Sequence, residues 1–251
     1  MGETWRLFRY KPVNEFLWQE LELSQFYCGP PNRLNDPFDC RIDWRLALKR
    51  ALRAGLSDHR RARLEQMLSA FDRKSPHLEA GVCCFSIKVD DQLMWSHYAN
   101  SHQGLCLFYE IPSDYFSRRY PPTLAFMDDL FFVGGSQIHY GDDVFYEWLL
   151  TGDHDEPLHG NFLENAVSRI FSSKAKCWGH EEEWRMITSQ PGILSFEPGF
   201  LKQVTFGFAM TQQHRGLVER VARRANLNVV ISEVQRSGTK DFGLIFPEVV
   251  R

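Results

Sequence analysis

The sequence predicts an α+β protein, a single domain of residues 1–251 in which helices flank a central mixed, largely antiparallel β-sheet. Three observations support this prediction. Short apolar runs typical of strands and amphipathic stretches typical of helices follow one another along the whole chain. No repeat, low-complexity tract or linker divides the sequence. A hydrophobic content of 43%, with 14% aromatic residues, is enough to build a core without disulfide or metal staples.

Charge and composition exclude several broad classes of protein. The formal net charge of −3 argues against a protein that binds nucleic acid through its overall charge, although a local basic patch is compatible with it. No run approaches the roughly 18 apolar residues of a membrane-spanning helix, and the first residues lack the apolar segment of a signal peptide. The six cysteines form no C-x-x-C pair. We therefore expect a cytoplasmic protein without membrane association or disulfides; the sequence gives no indication of its oligomeric state.

The N-terminal region predicts two strands around one helix. Residues 5–10 alternate as in a strand, residues 13–23 have the apolar spacing of a short amphipathic helix, and residues 25–28 form a second strand. Arg9 points to the face opposite its apolar neighbours, so its side chain either reaches solvent or serves a pocket. Residues 32–39 are rich in turn formers, and either a structural turn or a binding role explains them.

Residues 42–74 predict a helical hairpin inserted between strands. Its two apolar stripes are separated at Gly55, and Ser57 or Asp58 can cap the second helix. Lys and Arg side chains greatly outnumber acids over residues 41–74, so this is the one basic region of the chain. Such a surface is either a solvated helical face or a contact for a nucleic acid or a protein acceptor.

The middle of the chain predicts one wall of a pocket. Residues 81–87 form an apolar run typical of a buried strand, Asp90 or Asp91 can cap a helix that includes residues 93–98, and residues 105–111 form another strand. Stacking and titrating side chains precede this last strand, namely Trp95, His97, Tyr98 and His102. A lone Trp or Tyr is more often a core residue than part of a pocket, so a place in the core also explains the aromatic residues. No metal is predicted, because a five-residue offset puts the two histidines on different faces of a helix.

The second half of the chain predicts the remaining elements. Strands are expected at residues 130–133, 136–140, 204–208, 229–232 and 242–245. Helices are expected at residues 142–150, 161–171 and 212–225, with an acidic loop at residues 151–159. These elements complete the expected sheet and the helices that cover it.

The most informative stretch is residues 178–187, where three consecutive carboxylates precede a Trp-Arg pair and then apolar residues. If residues 183–187 are extended, Glu181, Glu183 and Arg185 share one face at a period of two. The two carboxylates would lie about 7 Å apart, so the pKa of at least one of them should be perturbed by its neighbour, by Arg185 or by a ligand cation. This pattern is typical both of a functional site and of a structural ion-pair network.

Six short motifs follow one another along the chain: LFRY at 7–10, NDPFD at 35–39, CFS at 84–86, WSHYA at 95–99, HxG at 102–104 and ExEWR at 181–185. In this order they resemble the motifs of a large bacterial family known as domain of unknown function 2971. The resemblance spans nearly the whole chain. The family label itself names no chemistry.

A basic residue on a first strand, a strand that ends in serine and a late Glu-x-Glu strand are also similar to the layout of ADP-ribosyltransferases. This family includes bacterial toxins that modify nucleic acid. The resemblance implies an ADP-ribosyltransferase-like fold, NAD as substrate without a metal, and a toxin or phage-defence role against nucleic acid or protein. Two departures are that the usual Ser-Thr-Ser run is here Cys84-Phe85-Ser86, and that a basic phosphate-cradling loop is not evident.

The same resemblance implies roles for individual residues. Cleavage of the nicotinamide–ribose bond develops positive charge on the ribose, which a carboxylate stabilises. The implied catalytic residues are Glu183 as that carboxylate, Glu181 for orienting or deprotonating the acceptor, and Arg9 for the pyrophosphate or ribose. The implied NAD-binding residues are Arg9, Tyr10, Asn35, Asp36, Ser86, Trp95, His97, Tyr98, His102 and Arg185.

Two other interpretations are open at this point. In a non-catalytic module that senses a nucleotide or nucleic acid, Arg9, Trp95, His102 and Arg185 would line a ligand pocket and both carboxylates would be ion-paired. An enzyme requires the same carboxylates to be open to a cleft. A glycoside hydrolase also uses two carboxylates, but they face each other across the bond that breaks, which fits this pattern less well.

Overall fold

The structure is a computed structural model that describes residues 3–73, 80–122, 130–151, 162–241 and 243–250 of the chain. The strands are β1 (Thr4–Lys11), β2 (Gln25–Cys28), β3 (Gly81–Ser86), β4 (Leu105–Pro112), β5 (Phe132–Gln137), β6 (His139–Tyr140), β7 (Ser173–Lys174), β8 (Glu183–Thr188), β9 (Gly192–Ser195), β10 (Leu201–Phe206), β11 (Val230–Glu233), β12 (Gln235–Arg236) and β13 (Leu244–Ile245). The α-helices are α1 (Glu15–Leu23), α2 (Trp44–Leu52), α3 (Asp58–Arg73), α4 (Gln92–Tyr98), α5 (Tyr115–Arg119), α6 (Val144–Thr151), α7 (Phe162–Phe171) and α8 (Gln212–Ala225). Short 3₁₀ helices lie at Pro31–Arg33, Lys176–Glu181 and Pro198–Phe200.

Seven strands form the central sheet in the order β11-β10-β4-β1-β3-β8-β5. Neighbouring strands are antiparallel except β10 and β11, which run parallel. One face of the sheet packs under α1 and α8 in the main hydrophobic core, and α4 packs with Phe8 and Phe108 on the other face. The predicted α+β class, with a largely antiparallel sheet flanked by helices, is confirmed. Among the described residues, no helix is both long enough and apolar enough to span a membrane.

Four helices form a second hydrophobic cluster of their own. Trp44 and Leu48 of α2, Leu64 of α3 and Phe145 of α6 pack there with buried residues of α7. The predicted hairpin is confirmed as α2 and α3, while Lys74 lies outside the described residues. Of the two candidate caps of the second helix, Ser57 is the one whose side chain accepts a hydrogen bond, from the Arg60 backbone N–H at 3.3 Å.

Element boundaries differ from the prediction where the sequence pattern is short. The strands expected at 130–133 and 136–140 are one strand, β5, followed by β6, because the intervening Gly134 and Gly135 continue to pair with β8. The strand expected at 204–208 is β10, which begins at Leu201. Neither α5 nor β9 was predicted. The acidic loop expected at 151–159 begins at the last residue of α6, and its other residues lie outside the described part, as do Asn161 and Phe242.

The sheet is forked between β1 and β3. Strand β1 pairs with β4 along its whole length, whereas its register with β3 is confined to Phe8 opposite Ser86. At its other end β3 pairs with the chain after β2, through two backbone hydrogen bonds of 2.8 and 2.9 Å between Val82 and Gly29. Strand β3 therefore changes its neighbour from β1 to Gly29. The widening gap between the strands leaves room for a cavity.

The packing of β5 on β8 can be tested at two adjacent glycines. A Cβ atom at Gly135 would overlap the ring of Trp184, which is itself packed on Trp5 at a ring-centroid distance of 4.5 Å. We expect Gly135→Ala to lower the free energy of unfolding by about 1 to 3 kcal/mol, measured by urea denaturation. Gly134→Ala is the matched control, because a Cβ there meets nothing within 4 Å. Equal stability of the two variants would contradict this packing.

Candidate functional site

A cavity of about 690 Å³ opens in the fork between β1 and β3. Its walls come from the end of β1, from α1, from the loop after β2 and from β3, together with residues of α4, β7 and β8. Phe8, Ser86 and Glu183 are opposite one another across three neighbouring strands, so their side chains share one face of the sheet and Arg9 points to the other. Because β1 and β3 separate here, residues of both faces border the same cavity.

The cavity brings together part of the predicted site. The predicted residues that border it are Arg9, Tyr10, Asn35, Ser86, Tyr98, Glu181 and Glu183. The predicted residues that do not border it are Asp36, Trp95, His97, His102 and Arg185. Trp95 and His102, which the sequence analysis grouped with Arg9 in one ligand site, therefore lie away from the cavity that Arg9 and Glu183 border.

Trp95 belongs to the core beneath the sheet, and the half-buried His102 packs against it. The Trp95 side chain is fully buried and donates a hydrogen bond from Nε1 to the Val89 carbonyl oxygen at 2.8 Å. The His102 ring stacks parallel to it at 6.1 Å, and burial lowers the pKa of this histidine. The docking of α4 turns residue 95 towards the sheet and leaves His97 exposed. Sequence spacing alone could not give this rotation of a two-turn helix.

The NDPFD loop is a structural part of the site. The Asp36 carboxylate accepts hydrogen bonds from the Phe38 backbone N–H at 2.9 Å and from Trp178 Nε1 at 2.7 Å. Asn35 Nδ2 donates to the hydroxyl of Tyr98 at 2.8 Å. The loop is thereby attached to both α4 and the 3₁₀ helix before β8, so Asp36 supports the cavity wall without reaching the cavity.

Arg185 lies at the centre of a buried network of charged groups. Its side chain is 0% exposed, and it donates from Nε and Nη2 to the two carboxylate oxygens of Glu183 at 2.6 and 2.9 Å. Nη2 also donates to Asp39 at 2.7 Å, and Nη1 donates to the carbonyl oxygen of Phe171 at 2.8 Å and to Cys40 Sγ at 3.0 Å. All five N–H groups of the guanidinium are used in this arrangement.

Glu181 is placed differently from the prediction. It ends the 3₁₀ helix Lys176–Glu181, and Glu182 then adopts a left-handed conformation with φ 40° before β8 begins. Only Glu183 and Arg185 therefore share the strand face on which Glu181 was also expected. The two carboxylates nevertheless meet, because both bind the same cation.

That cation is Lys174, which the sequence analysis missed. Its Nζ lies 2.5 Å from Glu181 Oε2, 2.9 Å from Glu183 Oε2 and 3.3 Å from Asp39 Oδ2, and its side chain is 3% exposed. The ammonium group also lies 5.2 Å from the centre of the Trp178 ring. Two cations and three carboxylates thus form one buried cluster at the cavity wall.

The cluster shifts the pKa of its members. Burial by itself raises the pKa of Glu183, but the charges of Arg185 and Lys174 and their hydrogen bonds outweigh it and lower this pKa to about 2. Burial opposes the charged form of Lys174 as well, yet Glu183, Asp39 and Glu181 raise its pKa. The expectation that at least one carboxylate of this stretch has a perturbed pKa is confirmed.

A second charged group borders the cavity on the α1 side. Arg9 Nη1 and Lys11 Nζ bind the same oxygen of Glu20 at 2.8 and 3.0 Å, and the Tyr109 hydroxyl donates to the other oxygen at 2.8 Å. The guanidinium of Arg9 also lies over the ring of Phe85 at 5.4 Å. Arg9 is therefore held in a pocket wall with only 14% of its side chain exposed.

The hydroxyl groups at the cavity connect its walls. Ser86 Oγ donates to the Glu181 carbonyl oxygen at 2.7 Å and accepts from the Lys88 backbone N–H at 3.1 Å. The Tyr98 hydroxyl donates to Glu181 Oε1 at 2.5 Å. Tyr10 donates from its hydroxyl to the Lys88 carbonyl oxygen at 2.9 Å. Ser86 thereby fixes the turn that presents Glu181, a supporting role that its position at a strand end did not reveal.

The residues that sequence reasoning missed are Lys11, Glu20, Asp39 and Lys174. Asp39 belongs to a motif that had been singled out. Lys174 lies on a two-residue strand in the polar stretch Ser172-Ser173-Lys174, and α1 gave no sign that Glu20 is buried. In the part of the chain that the structure describes, no group of three or more His, Cys, Asp or Glu residues is arranged to hold a metal ion.

Comparisons of this chain with models of protein families, with curated proteins and with solved structures found no match. The function is therefore argued from the geometry and charge of the cavity.

The low pKa of Glu183 predicts how stability depends on pH. Because the folded-state pKa is about 2 against an ordinary value of 4.5, the ionised carboxylate stabilises the fold above pH 4.5, and this contribution is lost as the pH falls from 4.5 to 2. We expect a loss of about 3 kcal/mol from this group. Glu183→Gln lacks the contribution at every pH, so the gap between the unfolding free energies of wild type and variant should narrow over that interval.

Urea denaturation at a series of pH values measures this gap. The matched control is Glu182→Gln, since the neighbouring Glu182 makes a surface ion pair with Lys88. The unfolding free energy of Glu182→Gln should change with pH in the same way as that of the wild-type protein. A gap between wild type and Glu183→Gln that stays constant with pH would contradict the low pKa of Glu183.

Proposed function

We propose that the protein cleaves the nicotinamide–ribose bond of NAD and transfers ADP-ribose to an acceptor. The main support for the proposal is that two clusters of charged side chains lie in the wall of one cavity, and that their net charges have opposite signs. NAD has a matching distribution of charge, with a cationic nicotinamide ring at one end and an anionic pyrophosphate in the middle. The cavity volume of about 690 Å³ also falls within the range of small-molecule sites.

The α1 side of the cavity suits the pyrophosphate. Arg9 and Lys11 supply two positive charges, and Glu20 balances one of them, so this side retains a net positive charge. A guanidinium and an ammonium group are the side chains that bind phosphate oxygens most strongly. Glu20 fixes both cations, and the Phe85 ring also packs on Arg9, so little conformational entropy is lost when they bind an anion.

The opposite side suits the nicotinamide ribose. Lys174 and Arg185 balance two of the three carboxylates of Asp39, Glu181 and Glu183, so a net negative charge remains there. As the C1′–N bond breaks, its electron pair moves to the nicotinamide nitrogen and positive charge develops on the ribose. A fixed negative charge close to C1′ stabilises this transition state more than the bound substrate.

In this reaction Glu183 is the carboxylate assigned to the ribose. Its low pKa keeps it ionised, and its pairing with Arg185 and Lys174 holds it in one orientation. The acceptor attacks C1′ as nicotinamide leaves, and Glu181, which is linked to Tyr98, is the nearest carboxylate to orient the acceptor or take its proton. Arg9 binds the pyrophosphate.

Further parts of the proposal concern family, fold and setting. We include membership of the domain of unknown function 2971 family and an ADP-ribosyltransferase-like arrangement of strands, supported by Arg9, Ser86 and Glu183 on the three adjacent strands β1, β3 and β8. We place the reaction in the cytoplasm, where thiols such as the six free cysteines of this chain stay reduced. The proposed acceptor is a nucleic acid or a protein that contacts the helical hairpin, in a toxin or phage-defence role.

A second candidate function is a module that binds NAD or another nucleotide without cleaving it. This alternative is favoured by one observation, namely that both Glu181 and Glu183 are ion-paired and almost fully buried. The same cavity charges would then serve affinity alone. Binding and cleavage therefore have to be measured separately.

We expect the purified protein to release nicotinamide from NAD, slowly with water as acceptor and faster with the proper acceptor. Glu183→Gln keeps the size of the side chain and removes its charge, so the rate should fall on the order of a hundredfold or more. Chromatographic measurement of nicotinamide gives the rate. The matched control is Glu182→Gln, whose side chain does not border the cavity and whose rate should equal that of the wild-type protein.

Two measurements make this result decisive. Calorimetric titration with NAD should give the same affinity within a few fold for wild type and Glu183→Gln, because the lost interaction belongs to the transition state. The melting temperature of Glu183→Gln shows whether the variant is folded at the assay temperature. Binding of NAD without nicotinamide release, in the presence of nucleic-acid and protein acceptors, would favour the binding module, and an absence of both would reject the two functions together.

A further inference from the structure

Among the residues that the structure describes, Lys174 is the one cation that joins the two candidate catalytic carboxylates. Glu181 ends a 3₁₀ helix and Glu183 begins β8, and neither is bonded to the other. The Lys174 ammonium group lies within hydrogen-bonding distance of one oxygen of each, and its third neighbour is Asp39. Three donors on one nitrogen therefore meet three carboxylates.

We propose that Lys174 is a positioning residue of the reaction, which holds Glu181 and Glu183 side by side as two carboxylates at the cavity wall. This inference rests on the proposed function for its catalytic meaning. Its structural content, the dependence of both carboxylates on one ammonium group, is independent of NAD.

The two carboxylates depend on Lys174 to different degrees. Without it, Glu183 keeps the guanidinium of Arg185 on both of its oxygens. Glu181 keeps only the neutral hydroxyl of Tyr98 on its Oε1 atom among the hydrogen bonds of its described neighbours. Loss of the ammonium group would thus place Glu181 beside Glu183 and Asp39 with no cation of its own, and proton uptake by one carboxylate relieves that repulsion.

Most of the other titratable groups around this cluster already have a hydrogen-bond or ion-pair partner, whereas His180 Nε2 is buried without a hydrogen-bond partner among the described residues. Arg185 binds Glu183 and Asp39, and the Tyr140 hydroxyl accepts from the Glu183 backbone N–H at 2.8 Å. Burial and the charge of Glu183 raise the pKa of the Cys84 thiol, which keeps this thiol neutral. Cys40 bonds to Arg185, and His180 lies on the same 3₁₀ helix as Glu181 with its ring 6.2 Å from that of Trp178. None of these contacts supplies a second cation to Glu181.

The test replaces the ammonium group and follows proton uptake and rate. In Lys174→Met the rate of NAD cleavage should begin to fall on the acid side at a pH about 1 to 3 units higher than in the wild-type protein. The value of kcat should change by a larger factor than the value of KM. Lys174→Arg keeps the charge and should restore this acid limb of the pH profile to near its wild-type position. The matched control is Lys176→Met, an exposed lysine two residues along the chain, which should leave the profile unchanged.

A titration without NAD separates this inference from the proposed function. Carboxyl ¹³C NMR, with signals assigned through Glu181→Gln and Glu183→Gln, should detect a carboxyl group that takes up a proton nearer neutral pH in Lys174→Met than in the wild-type protein. A shifted titration without NAD cleavage in any variant would support the role of Lys174 and reject the reaction. NAD cleavage with an unshifted titration and an unshifted acid limb would overturn the role of Lys174.

A double variant covers the case in which Lys174→Met does not fold. Lys174→Met with Glu181→Gln removes one charge of each sign, so the net charge of the cluster is that of the wild-type protein. We expect it to melt at a higher temperature than Lys174→Met and to lose the shifted titration. A double variant that is no more stable than the single one would show that Lys174 acts by packing alone, against the proposal.

Discussion

The buried guanidinium of Arg185 is the constraint on which the rest of the site depends. It joins β8 to the NDPFD loop through Asp39, to the end of α7 through the Phe171 carbonyl oxygen and to its own strand through Glu183. A buried ion is tolerated only when every donor has a partner, and removal of one partner typically costs about 3 to 5 kcal/mol. The separate segments that build the cavity wall are therefore held in one arrangement by one side chain.

The period of two along β8 links this network to the hydrophobic core. Glu183 and Arg185 point to the charged face, whereas the alternate residues Trp184 and Met186 point to the main core. A shift of one residue in the register of β8 would bury two charges in the core and expose two large apolar side chains to the cluster. The charged network and the core thus specify the same register, and the pairing of Ser86 with Glu183 follows from both.

The sequence was sufficient for those features that depend on local patterns. The α+β class, the strand from residue 183 and a cap of α4 at Asp90 or Asp91 follow from periodicity and side-chain chemistry, and the structure uses Asp91. The alternation of β1 left Arg9 open to solvent or to a pocket, and the structure places it at the pocket. It was insufficient where a contact joins distant segments. Arg185 binds a residue 146 positions away, and the burial of Lys174 depends on three elements that meet around a two-residue strand. The rotation of α4, which buries Trp95 and presents Tyr98, is likewise set by docking.

Ion pairing of Glu181 and Glu183 is compatible with the proposed reaction for an electrostatic reason. A transition state that gains positive charge is stabilised or destabilised by the net charge of all nearby groups. Three carboxylates and two cations leave this net charge negative. The pairs also fix the dipoles before the substrate arrives, so no reorganisation is needed as the bond breaks. On the α1 side of the cavity the two cations Arg9 and Lys11 outnumber the one carboxylate of Glu20, so the net charge of that wall is positive. The field across the cavity, directed from the α1 side to the Glu183 side, is therefore common to NAD binding and to the proposed cleavage, and it favours cleavage only as far as positive charge develops on the ribose.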